Sequence, residues 1–148
     1  QTKAKTYDAP PHYEVHCEYA GGIRTSMGPH NTMGMKVIGT EGWVHVTRGK
    51  ITCSKPALLK PDFNPGPFRG YLSPGHTRNF LDCVKSRKET ICPAETAHRS
   101  ITPGHLGYVS NTLGRALKWD AKKEQVTGDT EAQKLLTQMT HRKPWTLG

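Results

Sequence analysis

The sequence predicts an α+β domain: an antiparallel, meander-rich open sheet with helices packed on one face. Three observations carry this. Between residues 13 and 54, apolar and polar residues alternate in short runs, the period of half-buried strands. The runs are joined by glycine-containing turns too short for a crossover helix, so neighbouring strands run antiparallel. From Ser73 onward the apolar spacing changes to three and four, the period of helices. Strands first and helices second give α+β.

The elements follow in order. Residues 1–12 read as a polar lead-in, and residues 13–148 as the domain. "YEVHCEYA" places Tyr13, Val15, Cys17 and Tyr19 on one face and Glu14, His16 and Glu18 on the other. Gly21-Gly22 supplies a hairpin turn, because glycine tolerates positive φ. "IRTSM", "MGMKVIG", "WVHVT" and "KITCS" complete an expected five-strand meander. Met33, Met35 and Val37 share a face by parity; together with Trp43 they are expected to form an open apolar surface for a homodimer. Residues 55–72 carry four prolines and read as an irregular excursion. Ser73 is expected to cap a helix with Pro74 at its first position. Its buried face should be Thr77, Phe80, Leu81 and Val84, with Arg78 and Asp82 pairing outside. A second helix is expected over about 93–117, its stripe being Ala94, Ala97, Ile101, His105, Val109, Leu113 and Ala116. Pro103 should kink it or split it, with Thr102 capping the second piece; one kinked helix is the favoured reading. Asp129 should cap a last helix over 130–139, with Ala132, Leu135, Leu136 and Met139 inward.

Composition narrows the function. The 148 residues carry a formal net charge of +9. The basic residues are scattered and lack interleaved aromatics, so no nucleic-acid partner is expected. No apolar run approaches 18 residues, so no membrane span is expected. The four cysteines form no C-x-x-C pair; they read as free packing thiols. A Rossmann glycine fingerprint, a P-loop, a G-x-S-x-G elbow and an H-E-x-x-H motif are all missing.

What remains is a cluster around residues 76–105. Glu95, His98 and Arg99 are three and four apart, so they share a helix face. His76 and Asn79 precede them on the first helix. These five are the candidates for a substrate pocket. His98 and His105 are seven apart, too far for one metal without a third element between them. His105 lies on the apolar stripe and reads as a core histidine. No metal site and no catalytic residue are assigned.

"YEVHCEYAGGIR", "KVIGTEGWVHVTRGK", "SPGHTRNFLDCVKSRKETICPAETAHRS" and "LGRALKWDAKKEQVTGD" occur in this order. Together they resemble the C-terminal portion of Gfo/Idh/MocA-type oxidoreductases, from about Tyr13 to Trp145. The resemblance implies a two-domain enzyme. An N-terminal Rossmann domain binds NAD or NADP. A C-terminal α+β domain gives one wall of a sugar or polyol pocket and often a dimer surface. The glycine-rich nucleotide loop, the Glu-Lys-Pro lysine and the opening Asp-x-x-x-His motif are expected to be missing here, and with them the Rossmann domain. The reading is therefore a substrate-binding and dimerisation domain, a fragment or separately encoded, without a cofactor of its own. The alternatives are a standalone binding or assembly module, or a small carbohydrate-active or metal-dependent enzyme built on His76, Glu95 and His98.

Overall fold

A computed structural model describes residues 12–60, 71–138 and 144. Met139, expected in the last helical stripe, lies outside the described residues, as does most of the proline-rich excursion. The chain divides into two compact units, one of residues 1–28 with 94–148 and one of residues 29–93.

In the first unit, β1 (Val15–Glu18) pairs antiparallel with β2 (Arg24–Met27). The turn is closed by bonds from Tyr19 N to Ile23 O (2.8 Å) and from Gly22 N to Tyr19 O (3.2 Å). Val15 and Cys17 are half-buried and His16 and Glu18 exposed, as the alternation requires. Helix α1 (His76–Ser86) belongs to the other unit; α2 (Ala94–Leu113) packs on α3 (Thr130–Thr137) and lies against β1. Gly107 of α2 makes that approach possible. A β-carbon there would stand 2.7 Å from a methyl of Val15.

The core of this unit is Val109, Val126 and Ala132, 2%, 7% and 0% exposed. Leu106, Leu113, Leu117, Trp119 and Leu136 surround it. The α2 stripe is thus corrected. Val109 and Leu113 face inward, but Ala94, Ala97, Ile101 and His105 are exposed. The apolar seam occupies only the C-terminal half of the helix, where α3 and Val15 supply apolar surface. Helix α2 runs through Pro103 as one element and ends at Leu113, short of 117. Thr102 does not cap a second piece; its hydroxyl donates back to the His98 carbonyl at 2.8 Å. Gly114, at φ 66°, closes the helix, with Arg115 N bonded to Ser110 O across the turn. Helix α3 begins as expected, the Asp129 side chain accepting from Ala132 N at 3.0 Å. Between the two helices lies a hairpin absent from the expectation, β6 (Trp119–Asp120) with β7 (Gln125–Val126). Two-residue strands are too short to show a period.

In the second unit, β3 (Met35–Gly39), β4 (Gly42–Thr47) and β5 (Lys50–Cys53) form an antiparallel sheet in that order. A 3-10 turn at Pro56–Leu59 follows. The expected single meander is therefore two separate sheets. Gly28-Pro29 interrupts it: proline has no N–H to extend a ladder. Register also corrects the apolar surface. Met35 stands opposite Val46 and Val37 opposite Val44, whereas Trp43 stands opposite Ile38. Trp43 therefore lies on the other face, with Lys36 Nζ 4.5 Å from its ring centre. Met33, Met35 and Val37 are all exposed, Met33 at 86%.

Helix α1 (His76–Ser86) starts at Gly75 rather than at Ser73. Gly75 adopts φ 144°, and Ser73 Oγ accepts from its N–H at 3.3 Å, ahead of the helix. Arg78 pairs with Asp82 as expected. The buried residue of α1 is Asn79, 7% exposed, while Phe80, Leu81 and Val84 lie exposed. Asn79 Nδ2 donates to the Tyr71 hydroxyl at 2.6 Å, and Asn79 Oδ1 accepts from Ile91 N at 3.0 Å. Tyr71 in turn donates to the Glu89 carbonyl at 3.2 Å. A polar knot, not an apolar stripe, anchors this helix within its unit.

Candidate functional site

The site grows from the first turns of α2. Glu95, His98 and Arg99 lie at i, i+3 and i+4, so all three reach one side. That side faces the turn of the β6–β7 hairpin. The turn is shaped by Asp120, whose Oδ1 accepts from Lys122 N (2.9 Å) and Lys123 N (3.1 Å). The Lys123 bond first, then the Lys122 bond, hold the Asp120 carboxyl below its usual range. Glu124 follows in the left-handed region, at φ 52°.

Glu124 is where the α2 side chains converge. His98 Nε2 lies 3.1 Å and 3.0 Å from its two carboxylate oxygens. Arg99 Nη2 lies 3.3 Å from Glu124 Oε1, its Nη1 donates to the Ala121 carbonyl at 2.6 Å, and its Nε donates to Glu95 at 2.7 Å. The Glu95 hydrogen bond is the main cause raising the Arg99 pKa above its ordinary value. On the other side, Val126 N donates to Gln133 Oε1 of α3 at 2.7 Å. Arg115 clamps the start of α3, bidentate to Asp129 at 2.8 and 3.0 Å, with Glu131 at 2.7 Å. The Arg115 hydrogen bond, and after it the Ala132 N–H, hold the Asp129 carboxyl down at about 2.

Helix α2, the hairpin and α3 enclose a groove of about 530 Å³. Leu106, Val109, Trp119 and Leu136 give it an apolar lining, and His98, His105 and Glu124 a polar rim. Such a groove suits a small ligand with an apolar face and a few hydrogen-bonding groups. His105, expected in the core, is exposed and borders this groove.

The five candidates thus divide. Glu95, His98 and Arg99 come together, and His98 reaches the groove. His76 opens α1 and is exposed, while Asn79 is committed to the knot with Tyr71 and Ile91. Both belong to the other unit. Glu124, Trp119 and Gln133 were not foreseen. They meet α2 only across 26 residues or through a hairpin without period. Cys83 is half-buried, its thiol directed at the Glu89 carbonyl, whereas Cys92 is exposed, against its reading as a packing residue. Among the described residues, no three His, Cys, Asp or Glu side chains are grouped to hold a metal ion, and no helix is long and apolar enough to cross a membrane. The spacing Asp-x-x-x-His does occur once, at Asp8 and His12, contrary to expectation; Asp8 lies outside the described residues.

All strand pairs among the described residues are antiparallel. A dinucleotide cradle needs a parallel strand–glycine turn–helix unit. The described residues do not fit NAD or NADP, and no step through either is derived.

Residues 68–147 match a family model described as "Oxidoreductase family, C-terminal alpha/beta domain", of the Gfo/Idh/MocA type. The matched segment takes in α1, α2, α3 and the β6–β7 hairpin and leaves β1–β5 outside it. No curated protein and no solved structure matches the chain.

Proposed function

This chain belongs to the Gfo/Idh/MocA oxidoreductase family, and we propose that it serves as a substrate-binding and dimerisation domain that does not transfer hydride by itself. The observation that supports the binding role is the groove rimmed by His98 and Glu124 and lined by Leu106, Val109 and Trp119. An apolar floor with hydrogen-bonding groups at one end suits a sugar or polyol, which pairs a C–H face with a hydroxyl edge. Glu95 and Arg99 act behind it, fixing the hairpin that carries Glu124. His76 and Asn79 lie in the other unit and do not line this groove.

Backbone amide NMR of the chain titrated with glucose or inositol tests this reading. Saturable shifts at residues 94–106 and 119–126 are expected. Uniformly unmoved amides at millimolar sugar would contradict it. A parallel titration with NAD and NADP should leave the spectrum unchanged; tight, saturable binding would show a nucleotide site that the reading denies.

The dimer part rests on the sheet face carrying Met33, Met35 and Val37, with Val44, Val46 and Ile51 beside them by register. Exposed apolar patches of this kind mark interfaces. Light scattering at micromolar concentration should return twice the chain mass, and Val37→Lys should halve it. A monomer in both would remove the dimer from the reading and leave the binding role standing.

A further inference from the structure

Resting on the pocket reading above, we propose that His98 is the ligand-facing hydrogen-bond acceptor of the groove, acting through Nδ1 on a hydroxyl of a hydroxylated ring compound, and that Glu124 is its positioning residue.

The three α2 side chains share a face but not a task. Each nitrogen of the Arg99 guanidinium has an oxygen partner: Glu95, the Ala121 carbonyl and Glu124. Glu95 is held by Arg99. Neither residue borders the groove. His98 does, and it is half-used. Its Nε2 faces both oxygens of Glu124 at 3.0 and 3.1 Å. An ionised carboxylate only accepts, so the proton of a neutral imidazole sits on Nε2. That leaves a lone pair on Nδ1, which has no partner among the described residues. The carboxylate thus fixes the tautomer, as second-shell partners of histidine do.

Glu124 is itself held. Arg99 grips it and the neighbouring Ala121 carbonyl, and the bond from Val126 N to Gln133 ties the hairpin to α3. His98 is therefore held in place on the groove that Leu106, Val109 and Trp119 also line. A ring with an apolar face covers the floor, and one of its hydroxyl edges donates to Nδ1.

Imidazole ¹⁵N NMR tests this on the whole chain, with glucose, inositol and cyclohexanol as probes. Unliganded His98 should show a protonated Nε2 and a bare Nδ1. Saturating probe should move the Nδ1 signal toward the hydrogen-bonded range. His98→Phe keeps a ring but loses the acceptor, and should weaken probe binding about tenfold. Glu124→Gln should mix the two tautomers in the unliganded spectrum, a change that mere loss of packing does not produce; the amide spectrum of each variant reports whether the fold is kept. Probe shifts at groove amides with an unmoved Nδ1, or a bare Nε2, would overturn this inference and leave the pocket reading intact. An unperturbed amide spectrum with all three probes would overturn both.

Discussion

The two units hold themselves together by different means. Among the described residues, the buried apolar side chains Val109, Val126 and Ala132 lie in the unit of residues 1–28 and 94–148. Among the described residues of the 29–93 unit, the buried side chain is polar, Asn79. There Met33 and Met35 on the sheet and Phe80 on α1 are exposed, while Trp43, Val44 and Ile91 are half-buried. The first unit buries an apolar core while Ile23, Ile101, Tyr108 and Leu135 stay exposed. The other spends hydrogen bonds on its own order and offers its hydrophobic surface to whatever covers it. The difference teaches that an amphipathic pattern identifies apolar surface without saying which body will bury it.

Substitutions can break this contrast. The largest effect is expected at the knot. Asn79→Leu keeps the bulk but leaves Ile91 N–H and the Tyr71 hydroxyl without their partner, at a cost of about 3 kcal/mol. Urea unfolding measures it, and a loss below about 1 kcal/mol would deny the knot its anchoring role. Val109→Ala should cost the core about 2 kcal/mol, from two lost methyl groups and the space they leave. The glycines of α2 sharpen the comparison further. A methyl at Gly107 meets Val15, while nothing lies within 4 Å of one at Gly104. Gly107→Ala should lose about 1 kcal/mol net, overpacking outweighing the helix gain, and Val15→Ala should restore it. Gly104→Ala should gain about 0.5–1 kcal/mol. Equal effects at the two sites would mean that β1 does not approach α2 as described.

The smallest effect concerns pH. Asp129 has its pKa lowered from 3.8 to about 2 in the folded chain. A depressed carboxylate contributes stability that is present above its unfolded pKa and lost as pH falls through the folded one. The window is therefore roughly pH 4 down to pH 2. The Arg115–Asp129 pair is solvent-accessible, so the change should be slight. Asn remains a good N-cap, so Asp129→Asn should flatten this part of the stability profile without removing the helix start. Parallel wild-type and variant profiles would show that the pair adds nothing.

The sequence was legible where the information is local. Asp129 announces its helix three residues ahead of the bond it makes, and Gly21-Gly22 marks its turn within two residues. The alternation in "VHCE" gives the half-buried face of β1 directly. Family membership was legible from the order of four segments, and the match over residues 68–147 agrees with it. Long-range chemistry was not legible. Glu124 meets His98 across 26 residues, and no spacing rule connects them. Asn79 carries the polarity of a surface residue and is buried because Tyr71 and Ile91 satisfy it. Trp43 was grouped with Met35 by composition, and only register separates their faces. Of the pocket candidates, the shared face of Glu95, His98 and Arg99 was readable from i, i+3, i+4. Which of them borders the groove depends on a hairpin that two-residue strands do not announce.

Pro103 leaves a gap in the hydrogen-bond ladder of α2. Proline has no N–H, so the Arg99 carbonyl four residues back receives no ladder bond from it. The Thr102 hydroxyl on the His98 carbonyl is the neighbouring tie. A helix short of one ladder bond bends most readily at that turn. On one side of it residues 94–102 hold the hairpin through His98 and Arg99; on the other, Gly107 lies against Val15 and Val109 in the core.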